Sequence, residues 1–247
     1  MYAASSGGIA SARKLDIVSN NIANVNTVGY KAERLITSEQ SFSDTLASKI
    51  ANNDPSVLID QKQTPGVIDI ATYTDFSQGP IKDTGNPFDV ALTSANQFFV
   101  VNTPEGEAFT RAGNFTRTVE GALVTQDGYP VLGEGGQISL PPGKVDIASN
   151  GAVTVDGGVV GQLRVVSIED TNQLKRSEGA RFVADGDVNA TSVPPNLVTG
   201  ALEMPNVQVV EAMVEMINAQ RSFEAYTKSV QTIDELNNRA LRGNGQA

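Results

Sequence analysis

Backbone punctuation divides this 247-residue chain more sharply than any other feature. All eleven prolines lie between Pro55 and Pro205. The 23 glycines, apart from Gly7, Gly8, Gly243 and Gly245, lie between Gly29 and Gly200. Residues 206–242 contain neither type. Proline removes a backbone donor and clashes inside a helix, while glycine weakens helices and serves turns. The chain is therefore expected to carry helix at both ends and a turn-rich, β-forming middle, an α+β class.

Periodicity supports the helical ends. Ile9, Ala12, Leu15, Val18, Ile22 and Val25 recur in steps of three and four and form one helical face over 9–25. The run containing Asn20, Asn21, Asn24 and Asn26 then interrupts it, and Gly29 suits the positive φ of a helix stop. At the other end, Val210, Met213, Ile217, Phe223, Tyr226, Val230 and Ile233 form a second stripe, with Leu236 and Leu241 drifting off it. Asn206, directly after Pro205, predicts an N-cap. A helix of this length spans roughly 50 Å at 1.5 Å per residue and needs a partner to hold it.

Two readings of these ends stand on residue chemistry alone. Asparagines cap helices and form turns, but they also supply amide hydrogen bonds between subunits. On chemistry alone the capping and turn role is the more common one for the asparagines, and the C-terminal apolar stripe is more often an internal packing face than an assembly seam.

The middle is a succession of hairpin signals. Phe98–Val101 and Ala108–Thr110 flank a Pro- and Gly-containing turn at 102–107, and Leu123–Thr125 and Tyr129–Leu132 flank Gln126-Asp127-Gly128. Val153–Val155 and Val159-Val160 flank Asp156-Gly157-Gly158, with a further strand at Leu163–Ile168. Such spacing predicts an antiparallel sandwich or barrel. Residues 38–50 read as a short helix ahead of an extended connector.

Composition removes whole classes of chemistry. The chain has no cysteine and no histidine, which excludes disulfides, thiolate nucleophiles, the usual neutral-pH general base and the commonest metal ligands. The formal charge of −10 resides entirely in residues 51–204, while both ends are near neutral. An acidic middle argues against nucleic-acid binding, and near-neutral ends do not repel one another when copies gather. No apolar run approaches the ~20 residues of a membrane span. The opening residues lack a basic region followed by an apolar core, so no cleaved signal peptide is expected.

No constellation selects a catalytic, cofactor or metal site. Asp185-Gly186-Asp187-Val188-Asn189 opens like a calcium loop, but Ala190 replaces the required glycine and Asn196 stands where the bidentate glutamate belongs. Gly133-Glu134-Gly135-Gly136 lacks the Lys-Ser/Thr and helix of a phosphate cradle and reads as a loop. Asp83 with Asp89, or Glu105 with Glu107, are acid pairs that nothing distinguishes from other surface carboxylates. An enzyme is not expected, and no cofactor is.

Ser19–Lys31, reading SNNIANVNTVGYK, closely resembles the N-terminal signature of bacterial flagellar rod and hook proteins. Gly200–Val207, followed by Val210–Val214 and Ala219–Glu224, resembles the closing motif of the same family. Asp75–Gly79, Thr84–Ala91, Phe98–Val100 and Thr110–Phe115 match its interior in order. Phe88 stands where the family usually has Leu, and Ser94-Ala95-Asn96-Gln97 replaces a more Gly-rich approach to the Phe pair. Length fits the F type of rod protein better than the longer, distal G type.

The resemblance implies a structural subunit of the axial drive shaft that carries torque from motor to hook. It implies terminal helices, residues 1–30 with 205–247, that pair as a coiled coil and stack with neighbouring subunits. It implies an extended connector over 31–74 and an outer β-rich domain over 75–204. Partners would be further copies, other rod and hook subunits and the flagellar type III export apparatus, with neither nucleic acid nor membrane insertion. The rod spans the periplasm, and its subunits arrive there without signal cleavage. On this reading Leu15, Val18, Asn20, Asn21, Ile22, Asn24, Val25, Val210, Met213, Ile217, Phe223, Tyr226, Val230 and Ile233 carry assembly, and Gly29 sets the turn. A distal-rod or hook-like subunit is the nearest alternative. A monomeric β-rich binding module is the alternative from another class.

Overall fold

The computed structural model describes residues 2–39, 68–184, 186 and 188–243. The chain forms two compact units, one from Met1–Ile22, Glu33–Tyr73 and Gln208–Ala247, the other from Ala23–Ala32 and Thr74–Val207.

The first unit holds helix α1 (Tyr2–Ala23), strands β1 (Glu33–Glu39) and β2 (Ile68–Thr74), which pair as a two-stranded sheet, and helix α2 (Val209–Gly243). α1 starts well before residue 9 and runs through Gly7 and Gly8. The reason is packing: a Cβ on Gly7 would fall 2.5 Å from Tyr226 Cζ of α2, so only glycine permits this approach. Lys14 Nζ lies 3.9 Å from Glu215 Oε1, and the two contacts together set the helices in opposite senses. The buried face of α1 is Ala10, Ser11, Ile17, Val18 and Asn21, rotated from the expected stripe and leaving Ile9 62% exposed.

α2 runs 35 residues but begins at Val209, not at Asn206. The expected N-cap is overridden because the Asn206 side chain is engaged by tertiary hydrogen bonds described below. The expected helix at 38–50 lies outside the described residues from residue 40 on, and residues 38–39 end β1. Asp185 and Asp187 of the calcium-like stretch also lie outside them.

The second unit carries β3 (Ile81–Asp83), β4 (Val90–Leu92), β5 (Gln97–Thr103), β6 (Gly106–Thr110), β7 (Thr116–Arg117), β8 (Leu123–Val124), β9 (Leu132–Gly133) and β10 (Gly136–Gln137). It continues with β11 (Val145–Ile147), β12 (Ala152–Val155), β13 (Gly158–Gln162), β14 (Val165–Ile168), β15 (Leu174–Arg176), β16 (Arg181–Ala184), β17 (Ala190–Ser192), β18 (Leu197–Thr199) and β19 (Ala201–Glu203). Its centre is an antiparallel sheet ordered β15-β16-β6-β5-β14-β17.

The apolar run Phe98-Phe99-Val100-Val101 explains why β5 is central. Successive side chains point to opposite faces. Phe99 and Val101 enter one core with Leu92, Phe115, Leu123 and Val165, while Phe98 and Val100 enter another with Phe109, Val166, Ile168 and Phe182. Both faces are covered, so all four residues are buried.

The hairpins follow the turn chemistry. Thr103 pairs with Gly106 across Pro104-Glu105. Val155 pairs with Gly158 across Asp156-Gly157, whose φ values of 50° and 85° suit a two-residue primed turn. The sheets do not close into a barrel. β15 and β17 remain edges of the central sheet, and the other strands, two to five residues long, form two- and three-stranded sheets. Glycines and prolines interrupt these strands before a continuous ladder can run around the core.

Replacing Phe98 by Ala should lower unfolding free energy by about 3–5 kcal/mol, read from urea denaturation followed by circular dichroism. Ile217→Ala, at a half-exposed position of α2, should stay within about 0.5 kcal/mol.

Candidate functional site

Three charged side chains from distant parts of the chain meet inside the β-rich unit. Lys31 follows the turn after α1, Arg111 follows β6, and Glu203 ends β19; all three are fully buried. Lys31 Nζ donates to Glu203 Oε1 at 2.7 Å and to the Ser77 carbonyl at 2.6 Å. Arg111 Nε donates to Glu203 Oε2 at 2.9 Å, and a second guanidinium nitrogen lies 2.7 Å from the same oxygen. The third nitrogen of Arg111 donates to the carbonyls of Ser94 and Gln97 at 2.5 and 2.6 Å. Gly79 N completes the carboxylate's shell at 3.0 Å.

The backbone around the cluster is shaped to allow it. Gly29 takes φ +69°, and its N–H donates to the Glu203 carbonyl at 2.9 Å. A Cβ there would lie 2.3 Å from Ala112 N, so the site requires glycine for both conformation and space. A Cβ on Gly79 would lie 1.9 Å from the Met204 carbonyl oxygen.

Asn206 extends the same seam. Its Oδ1 accepts from Ala32 N at 2.7 Å, and its Nδ2 donates to the Asp75 carbonyl at 2.7 Å and to Ser77 Oγ at 3.0 Å. Arg176 donates to the Lys31 carbonyl and lies over the Tyr30 ring, 4.4 Å from its centroid.

The cluster holds two cations and one carboxylate. Burial pushes the Lys31 ammonium below its usual pKa, Glu203 opposes the shift, and the Arg111 charge adds to it. Burial likewise lowers Arg111, again opposed by Glu203. None of the three side chains reaches solvent, so the arrangement ties backbone segments together and presents no reactive group.

The assembly residues expected from sequence are distributed differently. Val18 and Asn21 are buried, Leu15, Ile22, Asn24 and Val25 are half-buried, and Asn20 is exposed. Asn21 pairs with the backbone of Glu33 in both directions, Nδ2 donating at 2.9 Å and Oδ1 accepting at 3.0 Å. Asn24 Oδ1 accepts from Thr27 Oγ1 at 3.1 Å within the turn. On α2, Val210, Met213 and Ile217 are 76%, 50% and 51% exposed, with Val214 beside them. Phe223 and Tyr226 are less exposed and line, with Val230, Ile9 and Ala12, a groove of about 310 Å³ between the helices. Ile233 is half-buried.

Sequence reading missed the ion cluster. Its members stand singly in unlike segments, GYK, TRAG and ALEM, and no spacing rule links them. The available signal was a charge embedded in an otherwise apolar, glycine-bearing stretch. Among the described residues no group of acidic side chains is placed to hold a metal ion, and no helix is long and apolar enough to cross a membrane.

Three family models match the chain. They are described as flagella basal body rod protein (residues 1–31), flagellar hook protein FlgE/F/G D1 domain (94–155) and flagellar basal body rod FlgEFG protein C-terminal (198–242). Each matched stretch contributes one charge to the cluster: Lys31, Arg111 and Glu203 in turn. The flagellar basal-body rod protein FlgF of Caulobacter vibrioides is 35% identical over 95% of this chain and 93% of its own length. FlgG of Bacillus subtilis is 34% identical over 96% and 95%. The flagellar hook-basal body complex protein FlhO of Bacillus subtilis is 32% identical over 100% and 98%.

The surplus positive charge orders the effects of substitution. Glu203→Gln strands two buried cations and should cost about 3–5 kcal/mol, whereas Lys31→Met leaves a balanced Arg111–Glu203 pair and should cost less. Equal losses in denaturant titrations would contradict this charge count. The depressed Lys31 value also sets a pH dependence. Between it and 10.5 the unfolded chain holds a proton that the folded chain has released. Measured against Lys31→Met, the protein should therefore gain stability as pH rises from the depressed Lys31 value toward 10.5.

Proposed function

Because the chain belongs to the flagellar basal-body rod protein family, we propose that it is a structural subunit of the rod and that its terminal helices stack against those of neighbouring subunits. The observation that carries this reading is the face of α2 formed by Val210, Met213, Val214 and Ile217, all at least half exposed at helical spacing. A contiguous apolar stripe of this kind gains its burial term only when another surface covers it.

On this reading residues 1–30 with 205–247 form the stacking part, 31–74 the connector and 75–204 the displayed part. The backbone of residues 23–32 belongs to the β-rich unit. The helices pair as a coiled coil, α1 offering Leu15 and Ile22, the turn after it Val25, and α2 its stripe. Other rod and hook subunits and the type III export apparatus are the partners, and the subunit sits in the periplasm-spanning rod, reached without signal cleavage. Its work is mechanical, the transmission of torque along the axis, with no catalytic step. Each Leu- or Phe-sized side chain covered in assembly contributes about 1.5–3 kcal/mol, repeated for every subunit.

Ile217→Asp should abolish incorporation into rods while leaving the denaturation midpoint of the free chain unchanged. Rods built at normal frequency by that variant would remove the stripe from the seam. In the unmodified protein, helicity and hydrodynamic radius should both rise with concentration. A compact helical monomer at every concentration would favour a binding module instead.

A further inference from the structure

The early segments of the β-rich unit find their partners in one late stretch, Leu197–Asn206. Among the described residues, β3 pairs as a strand with β19 alone, and β4 with β18 alone. Gly29 N reaches the Glu203 carbonyl, and Ala32 N reaches Asn206 Oδ1 across 174 positions of sequence. Lys31 and Arg111 share Glu203 as counter-ion across 172 and 92 positions.

We propose that Leu197–Asn206 is a closing latch, without which the β-rich unit does not fold although strands β3–β17 are all present. Three costs fall together when the latch is missing. The buried cations Lys31 and Arg111 have no carboxylate. β4, whose three residues are fully buried, loses its ladder with β18. Gly29 and Ala32 lose the acceptors that fix the turn after α1. Each contact closes a long loop, so its entropy is lost before other contacts repay it.

A chain emerging N-terminus first therefore stays open until the latch is delivered, only a few residues before α2 begins. The order of events is independent of rod assembly, because no latch residue lies on the exposed stripe of α2. In the exported subunit proposed above, the latch would keep the chain threadable until nearly all of it has passed.

Pulsed hydrogen exchange during refolding of the full chain tests the idea. Amides of β5, β6 and β14 should gain protection in the same phase as those of β18 and β19. Protection of the central sheet in an earlier phase, with residues 197–206 still exchanging, would overturn the latch. In the native state, Glu203→Gln should accelerate exchange throughout β5, β6 and β14 by roughly 100-fold or more. Acceleration confined to residues 197–206 would also overturn it. Should Glu203→Gln abolish folding, the order of protection in the unmodified chain decides the matter alone.

Discussion

The Glu203 carboxylate stands where three parts of the chain must meet, and its two oxygens are divided between them. Oε1 takes Lys31 and the Gly79 amide, and Oε2 takes Arg111. Removing such a carboxylate from water carries a large desolvation cost, which only good geometry and several donors offset. That geometry depends in turn on the backbone. The Gly29 turn lets Lys31 in, Gly79 lets the chain pass Met204, and β19 carries Glu203 to the meeting point. The surplus cation is held by the carbonyls of Ser77, Ser94 and Gln97, which solvate charge where water does not reach.

The cluster gives the family's motifs a physical meaning. Glycine, lysine, arginine, glutamate and asparagine in GYK, TRAG and ALEMPN cooperate in one buried network, and the three matched stretches each place one charge in it. Residues that distinguish one rod position from another are better sought on the exposed face of α2.

What could be read from sequence divides along the range of the forces involved. Local rules located the helical ends and the hairpins, because proline, glycine and Asp-Gly act on their own backbone. The Asp156-Gly157 turn and the Pro104-Glu105 turn came out as turn chemistry requires. The start of α2 did not, because Asn206 is drawn away from capping by Ala32, Asp75 and Ser77. The face of α1 was misjudged for a similar reason. Gly7 seats against Tyr226, a close approach that a hydrophobicity pattern does not contain, and Ile9 is left 62% exposed along the groove between the helices. The ion cluster was illegible because opposite charges separated by 172 positions leave no periodic trace.

The same network constrains how load enters the β-rich unit. Lys31 and Ala32, at the end of the first segment of the β-rich unit, and Glu203 and Asn206, at the end of its last segment, are stapled by an ion pair and an amide hydrogen bond within 3 Å. In sequence the stapled residues stand between each terminal helix and the strands of the central sheet. Two parallel strands of chain held side by side share a load, whereas separated attachments would peel the strands between them apart one hydrogen bond at a time. The buried charges therefore serve rigidity within the β-rich unit, where its terminal segments meet. The exposed apolar stripe of α2 belongs to the other unit and takes no part in this network.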